Sequence, residues 1–329
     1  MTEIVGYERM AKKKGPTPRR EVSARETRSV TPARTTQVLL GIFIGGALVV
    51  AVAALVFKNG TGPPEPSLRD LVENVDPGPI HVHGLGINPQ DGSLLIATHT
   101  GLWRTAPGET QAKRVTNQMQ DTMGFTIIGP DRFLGSGHPD QIQARDRGLP
   151  PLLGLIESTD AGKSWQTISL LGEADFHVLR SKGHRIYGFD ATNERLLFSR
   201  DAGRSWTERS PPAPLVDMAV SPSNLSHLIA SGERGLWESA NEGRAWKPSG
   251  EDSGLLAWPV AGRLYIVTAA GEVRLSPNGG KRWDAVGDIG GQPAALLAQT
   301  ARELYVALHD GTVKRSPDGG RTWEVRSRP

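Results

Sequence analysis

The sequence predicts an all-β fold, a six-bladed β-propeller preceded by one N-terminal transmembrane helix. Three observations carry this. One eight-residue phrase recurs at a spacing near 40 residues, short strand-like runs fill the intervals, and one uncharged stretch precedes all of them.

The chain has 329 residues, of which 37% are hydrophobic and 22% charged, a balance that can bury a core. Its 39 glycines and 24 prolines point to many turns. With no cysteine, disulfides, thiolate metal sites and a cysteine nucleophile are excluded. The net charge of +3 is uneven: residues 1–36 hold nine Lys/Arg against four acids, so the remainder is slightly acidic. The basic pI is therefore a property of the tail, and no nucleic-acid partner is implied.

Residues 1–36 read as a disordered basic cytoplasmic tail and 37–57 as a transmembrane signal anchor. Val38 to Phe57 are 20 residues without a charge, enough for about 30 Å of helix. A cleaved signal peptide has a shorter apolar core, about 7–15 residues. The basic side comes first, which places the N-terminus in the cytoplasm and the rest outside the cytoplasmic membrane. Residues 58–79, with "GTGPPEP" and "DPGP", have linker composition, and 80–329 form the folded domain.

Five segments align: Ser158–Trp165, Ser199–Trp206, Ser239–Trp246, Ser276–Trp283 and Ser316–Trp323. Their starts lie 41, 40, 37 and 40 residues apart, the period of propeller blades. Between them, "RIYGFD", "HLIASG", "RLYIVTA" and "ELYVALH" read as strands followed by turns, about four strands per period. A sixth unit lies upstream, where "SLLIATHTGLWRT" parallels "HLIASGERGLWES". Thr105 then stands where Ser239 does, but no box follows it. The second unit is longer, with an insertion around Gly137–Pro151. As a lid, its stretch Gly137–Asp146 would gate the channel; as a tolerated insertion it would do nothing.

The repeated S-x-[DN]-x-G-x-[ST]-W resembles the Asp box of the BNR-repeat, sialidase-like proteins. Three copies match in full; two carry Asn, with Ala245 and Arg282 at the Ser/Thr position. Asp160, Asp201, Asn241, Asn278 and Asp318 are the expected structural acceptors for turn N–H groups, each followed by a Gly able to take positive φ. The Trp supplies an apolar plug between sheets. The resemblance implies that the box joins the two outer strands of a blade, away from the ligand end. "HVHGLGINPQDGSLLIATHTGLWR" and "GLIESTDAGKSWQTISLLGEADFHVL" resemble a narrower group of bacterial propellers that carry a glycosyl hydrolase or exo-sialidase label.

Propellers bind ligands at the channel mouth, so the first strand of each unit holds the candidates. Aligning "HGLGINPQD" with "MGFTIIGPD" sets His83 opposite Met123; His177 and Asp217 fall at similar depth. His81 lies two residues before His83, hence on the same strand face, and His99 and His138 each follow an outgoing strand. His81, His83, His99 and His138 are the candidate metal ligands, and His177, Asp121, Met123 and Asp217 the candidate ligand-binding residues. Imidazole with thioether suits copper; imidazole with Asp121, Asp175 or Asp190 suits zinc. The alternative is a set of polar channel residues bonded to one another and to water.

The runner-up function is a glycoside hydrolase of the sialidase-like superfamily, with Glu173, Asp175 and Asp190 as candidate catalytic acids. A sialidase needs a unique activated Tyr, yet Tyr187, Tyr265 and Tyr305 occupy one repeated strand position, which marks them as structural. The leading reading is a membrane-anchored propeller that binds an extracytoplasmic protein or glycan at the channel mouth.

Overall fold

The structure, a computed structural model, describes residues 78–329. The predicted tail and anchor, and all but the end of the linker, lie outside the described residues, among which no helix is long and apolar enough to cross a membrane.

The chain forms six four-stranded antiparallel sheets, each from four consecutive strands. The first blade comprises β1 (Val82–Ile87), β2 (Leu94–Thr98), β3 (Gly101–Thr105) and β4 (Lys113–Arg114), and the second β5 (Asp121–Gly129), β6 (Arg132–His138), β7 (Leu155–Ser158) and β8 (Gln166–Ser169). The third holds β9 (Phe176–Lys182), β10 (Arg185–Asp190), β11 (Arg195–Ser199) and β12 (Thr207–Arg209). The fourth holds β13 (Leu215–Val220), β14 (Leu228–Gly232), β15 (Gly235–Ser239) and β16 (Lys247–Gly250). The fifth holds β17 (Gly254–Val260), β18 (Arg263–Thr268), β19 (Glu272–Ser276) and β20 (Asp284–Asp288). The sixth holds β21 (Pro293–Ala298), β22 (Leu304–Leu308), β23 (Val313–Ser316) and β24 (Glu324–Ser327).

The second strand of a blade is covered on both faces, so its sequence loses alternation: LLIAT, LIASG and LYVAL are buried throughout. The core is divided into six clusters, one at each blade boundary. Phe125 and Phe133 of the second blade meet Leu95 and Ala97 of the first, for example, and Tyr305 and Val313 of the sixth meet Val82 and Trp103 of the first.

The repeated box closes the outer hairpin of blades two to six. In the third blade the Ser199 hydroxyl accepts from Gly203 N at 2.8 Å and donates to Asp201 Oδ1 at 2.8 Å. Asp201 in turn accepts from Ser205 N at 2.9 Å and Ser205 Oγ at 2.6 Å. Where Ala245 and Arg282 replace the hydroxyl residue, the bond from that hydroxyl is lost, while the Asn still accepts from the backbone N–H, at 2.9 Å in both, and from the box Ser hydroxyl. The box Gly is obligatory: Gly203 has φ 83°, and a Cβ there would lie 2.1 Å from Leu155 of the preceding blade. The box Trp joins the same boundary, as Trp206 does with Phe176, Leu155 and Leu134.

The ring closes at the first blade, where no box follows β3. Thr105 Oγ1 pairs with Ser327 Oγ at 2.7 Å, 222 residues away in sequence. The Arg326 guanidinium donates to the carbonyls of Thr105, Ala106 and Glu109, and Arg328 N donates to Thr110 O at 2.7 Å. The end of the sixth blade is thereby tied to the turn after β3, where the other blades carry their box.

The insertion of the second blade contains a short helix, α1 (Gln141–Arg147), where the sequence reading placed only a loop. Asp140 caps it, accepting from Ile142 N and Gln143 N, and its second oxygen accepts from Met119 N at 2.9 Å. Gly148 in the left-handed region ends it. These bonds pin the start of the insertion to the lead-in of β5.

Candidate metal and ligand site at the channel mouth

The innermost strands β1, β5, β9, β13, β17 and β21 enclose a central cavity of about 360 Å³ whose wall includes His83, Met123, His177 and Asp217. Antiparallel pairing sets one end of this channel. Val82 faces Thr98 across β1 and β2, and Asp121 faces His138 across β5 and β6. The starts of the innermost strands and the ends of the second strands therefore share a rim, and the boxes, which follow the third strands, lie at the other end. Gly137 makes the β5–β6 approach possible at this rim: it has φ 131°, and a Cβ there would lie 2.1 Å from Asp121 O.

Histidines and acids on the rim sort into two groups. The first is His83, His99 and Asp121, whose ligand atoms all lie within 4.8 Å of one another. His99 Nδ1 sits 2.7 Å from Asp121 Oδ2, and His83 Nε2 sits 3.9 Å from Asp121 Oδ1. The His83 and His99 rings meet edge-on at 4.4 Å. His83 Nε2 and Asp121 Oδ1 are both buried without a hydrogen-bond partner. Burial, then the proximity of His99, pulls the His83 pKa down to about 4 against the opposing pull of Asp121, so its imidazole is neutral at pH 7.

Local structure fixes these side chains. The register of β1 against β2 shifts between Val82 and Gly84, which re-aims His83 into the rim. His99 sits in a turn held by Thr98 and Thr100: Thr98 Oγ1 donates to Gly101 O at 2.8 Å and accepts from Thr100 N at 3.0 Å. Thr100 Oγ1 reaches Gly78 O at 2.6 Å. Neither threonine was singled out from the sequence; their signal was a pair of hydroxyls flanking His99 in a two-residue hairpin turn.

His81 corrects one expectation. It precedes β1 with φ 52°, so the alternation that put it on the face of His83 does not reach it. Its ring still packs against that of His99, with centroids 5.0 Å apart.

The second group is His138, Asp175 and His177. Asp175 Oδ2 lies 2.9 Å from His177 Nε2 and 3.5 Å from His138 Nε2, and His138 Nδ1 lies 2.9 Å from Pro151 O. With acceptors facing both ring nitrogens, led by the bond to Asp175, the His138 pKa rises to about 9. Burial pushes the Asp175 carboxyl up, but the bonds from His138 and His177 outweigh it and hold it below the usual carboxylate range. His138, expected among the metal ligands, thus turns to Asp175 together with His177 and does not join the first group. The two groups remain within reach of each other's charge, His177 acting on His83 and Asp121 on His138.

Of the other nominated residues, Asp190 and Asp217 have structural partners. Asp190 is fully buried; its oxygens accept from Asp175 N, Asn193 Nδ2 and Arg195 Nε at 3.1, 2.8 and 2.8 Å. Glu173 is exposed in the turn before β9, where only its carbonyl is engaged, by Asn193 and Arg195. The Asp190 oxygens are thus taken by these donors, whereas the Glu173 carboxylate faces solvent. Asp217 bridges three blades, accepting from Arg180, from Met218 N at 2.6 Å and from Leu256 N at 2.8 Å. Its burial pushes the carboxyl up against those donors. Met123 contributes its half-buried side chain to the channel wall. Tyr187 and Tyr265 tie their blades to the next, donating to Leu225 O and Ala301 O, and the buried Tyr305 donates to Glu303 Oε1 of its own blade at 2.8 Å.

Two imidazoles and one carboxylate make a ligand set for a borderline divalent ion such as zinc. Tetrahedral coordination at about 2.0–2.1 Å separates ligand atoms by about 3.4 Å. The 3.9 Å between His83 Nε2 and Asp121 Oδ1 therefore closes with a small side-chain rotation.

No family model matches the chain. Among curated proteins it is similar to the Dispase autolysis-inducing protein of Streptomyces mobaraensis, 26% identical over 163 residues. That match covers 49% of this chain and 38% of the relative, so the chain spans well under half the relative's length. Among solved structures it is similar to the GH74 enzyme of Niastella koreensis, with TM-score 0.54 and 13% identity over 75% of this chain and 45% of that one. YCF48 from Cyanidioschyzon merolae aligns with TM-score 0.49 and 15% identity over 76% of this chain and 86% of that one. At these identities the GH74 likeness speaks for the β-propeller fold alone.

Proposed function

We propose that this is a membrane-anchored, extracytoplasmic propeller of the Asp-box type that binds its ligand at the histidine-rich channel mouth through a divalent transition metal. His83, His99 and Asp121 hold the metal, zinc being the ion this donor set suits best. One observation carries the reading: His83 Nε2 and Asp121 Oδ1 are buried, unpartnered and 3.9 Å apart. An orphaned buried polar atom costs about 1–3 kcal/mol, and two of them facing one another are relieved together by a cation. The uncharged stretch Val38–Phe57 and the basic residues before it support the anchor and its orientation.

The glycoside hydrolase reading has less behind it, because Asp190 is consumed by Arg195 and Asn193 and Glu173 stands exposed.

The test is elemental analysis of the full-length chain, purified in detergent and dialysed against zinc. One zinc per chain is expected in the wild type, and none in His83→Ala or Asp121→Ala. A wild-type protein without stoichiometric metal would refute the reading.

A further inference from the structure

We infer that the bound metal turns the channel mouth into a receptor for an oxyanion, a carboxylate or phosphate group, with one oxygen on the metal and a second hydrogen-bonded to the ring of His177. This rests on the metal reading above and adds the class of ligand to it.

Charge balance leads there first. Asp175 is matched by His138, whose two ring nitrogens face Asp175 Oδ2 and Pro151 O. Without metal, the rim's unmatched acid is Asp121, which has only imidazole neighbours. A divalent ion held by two neutral imidazoles and this carboxylate leaves one net positive charge. The channel wall offers no acid to offset it, since Asp217, the one acid among its residues, is bound to Arg180. Uncompensated charge in a partly buried site is unfavourable, so a monoanion is preferred there over a neutral sugar or amide. Three protein ligands also leave zinc an open position to receive it.

The second contact falls to His177. His177 lines the same cavity as His83. Its Nε2 is held by Asp175 Oδ2 at 2.9 Å, and Asp175 is itself fixed through its backbone N–H to Asp190 Oδ1 at 3.1 Å. The ring is thereby oriented, much as an outer-shell carboxylate orients an imidazole at a metal centre. Its Nδ1 carries no hydrogen bond among the described residues, and the side chain is exposed to the channel; with its Nε2–H on Asp175, the ring takes up a proton together with the anion and donates it from Nδ1. Asp190 and Asp175 thus act as positioning residues for His177.

Metal dependence follows from the change of sign. The metal-free rim carries an unmatched carboxylate and repels anions, whereas the loaded rim attracts them.

The experiment uses the full-length chain loaded with cobalt(II), whose visible bands report its coordination, titrated with acetate and, separately, with inorganic phosphate. A saturable spectral change is expected with at least one of them, and the stronger of the two identifies the source. His177→Gln is expected to raise that anion's dissociation constant about tenfold, the weight of one charge-assisted hydrogen bond, with cobalt affinity unchanged. His177→Asn serves if the Gln variant fails to fold, unchanged cobalt affinity showing an intact rim. Cobalt uptake with no response to either anion, or equal anion affinity in wild type and variant, overturns the inference while leaving the metal site standing. Failure of the wild type to take up cobalt overturns the metal reading itself.

Discussion

Replacing Asp121 by Asn should have opposite consequences with and without metal. In the metal-free protein Asp121 Oδ1 is buried and unmet beside the equally unmet His83 Nε2. Such a group costs about 1–3 kcal/mol. Asn removes the charge, and its amide presents a donor to the His83 nitrogen. Against this stands the loss of the charge-assisted bond to His99, worth about 1 kcal/mol because the His99 side chain is 41% exposed. The metal-free variant should therefore lie within about 1 kcal/mol of the wild type. With free zinc at about 100 times its dissociation constant, the wild type gains about 2.7 kcal/mol. For a domain of this size that raises the thermal transition by about 5–11 °C. The Asn variant, lacking the anionic ligand, should rise by less than about 2 °C. Scanning calorimetry in chelator and in zinc reads both arms. A variant several kcal/mol less stable in chelator would make Asp121 a structural residue, and one that keeps the full zinc shift would remove it from the ligand set.

Other perturbations separate scaffold from site. Ser199→Ala leaves the buried Gly203 N–H without its acceptor and should cost about 2–3 kcal/mol, read from urea midpoints, with zinc content unchanged because the box lies at the far end. Asp217→Ala strands Arg180 and the Leu256 N–H together and should cost about 3–4 kcal/mol; a loss under about 1 kcal/mol would show that the three-blade tie is not structural. The His138 pKa, raised from 6.5 to about 9, gives stability that is complete below about pH 6.5 and lost as pH climbs through about 9. His138→Gln should flatten the stability profile across that window in chelator, and an unchanged slope would assign it to another group.

The blades were legible because each must solve the same turn, and the same solution, a Ser hydroxyl on a Gly N–H with an Asp or Asn above it, was written five times. His99 and His138 follow from hairpin ends, which bring them to the rim, whereas the alternation that pairs His81 with His83 does not hold. What escaped was non-local. Nothing adjacent to Asp190 announces that Arg195 and Asn193 will occupy its oxygens, and Arg180 reaches Asp217 from a strand 37 residues away. The division of the histidines into two groups depends on which carboxylate each ring meets, and that is set by strand register. The register shifts in β1 and β5, each one or two residues in extent, have no clear sequence mark. The α1 helix was missed because QIQARDR is short and its one large apolar residue, Ile142, faces solvent.

The clasp between Thr105 and Ser327 sets the order in which this ring can come apart. Five boundaries join blades that follow one another along the chain, so their contacts form early and re-form readily. The sixth must bring together segments more than 200 residues apart, at a loop-closure cost of about 5 kcal/mol. An open ring is an arc, and its channel is a cleft with one wall missing. The blade freed on that side is the first, which carries His83 and His99, and its remaining hold on the ring is the boundary with the second blade, where Asp121 sits. A cation shared across that boundary would rivet the loose end of the arc to its neighbour, keeping the rim assembled while the clasp opens and shuts.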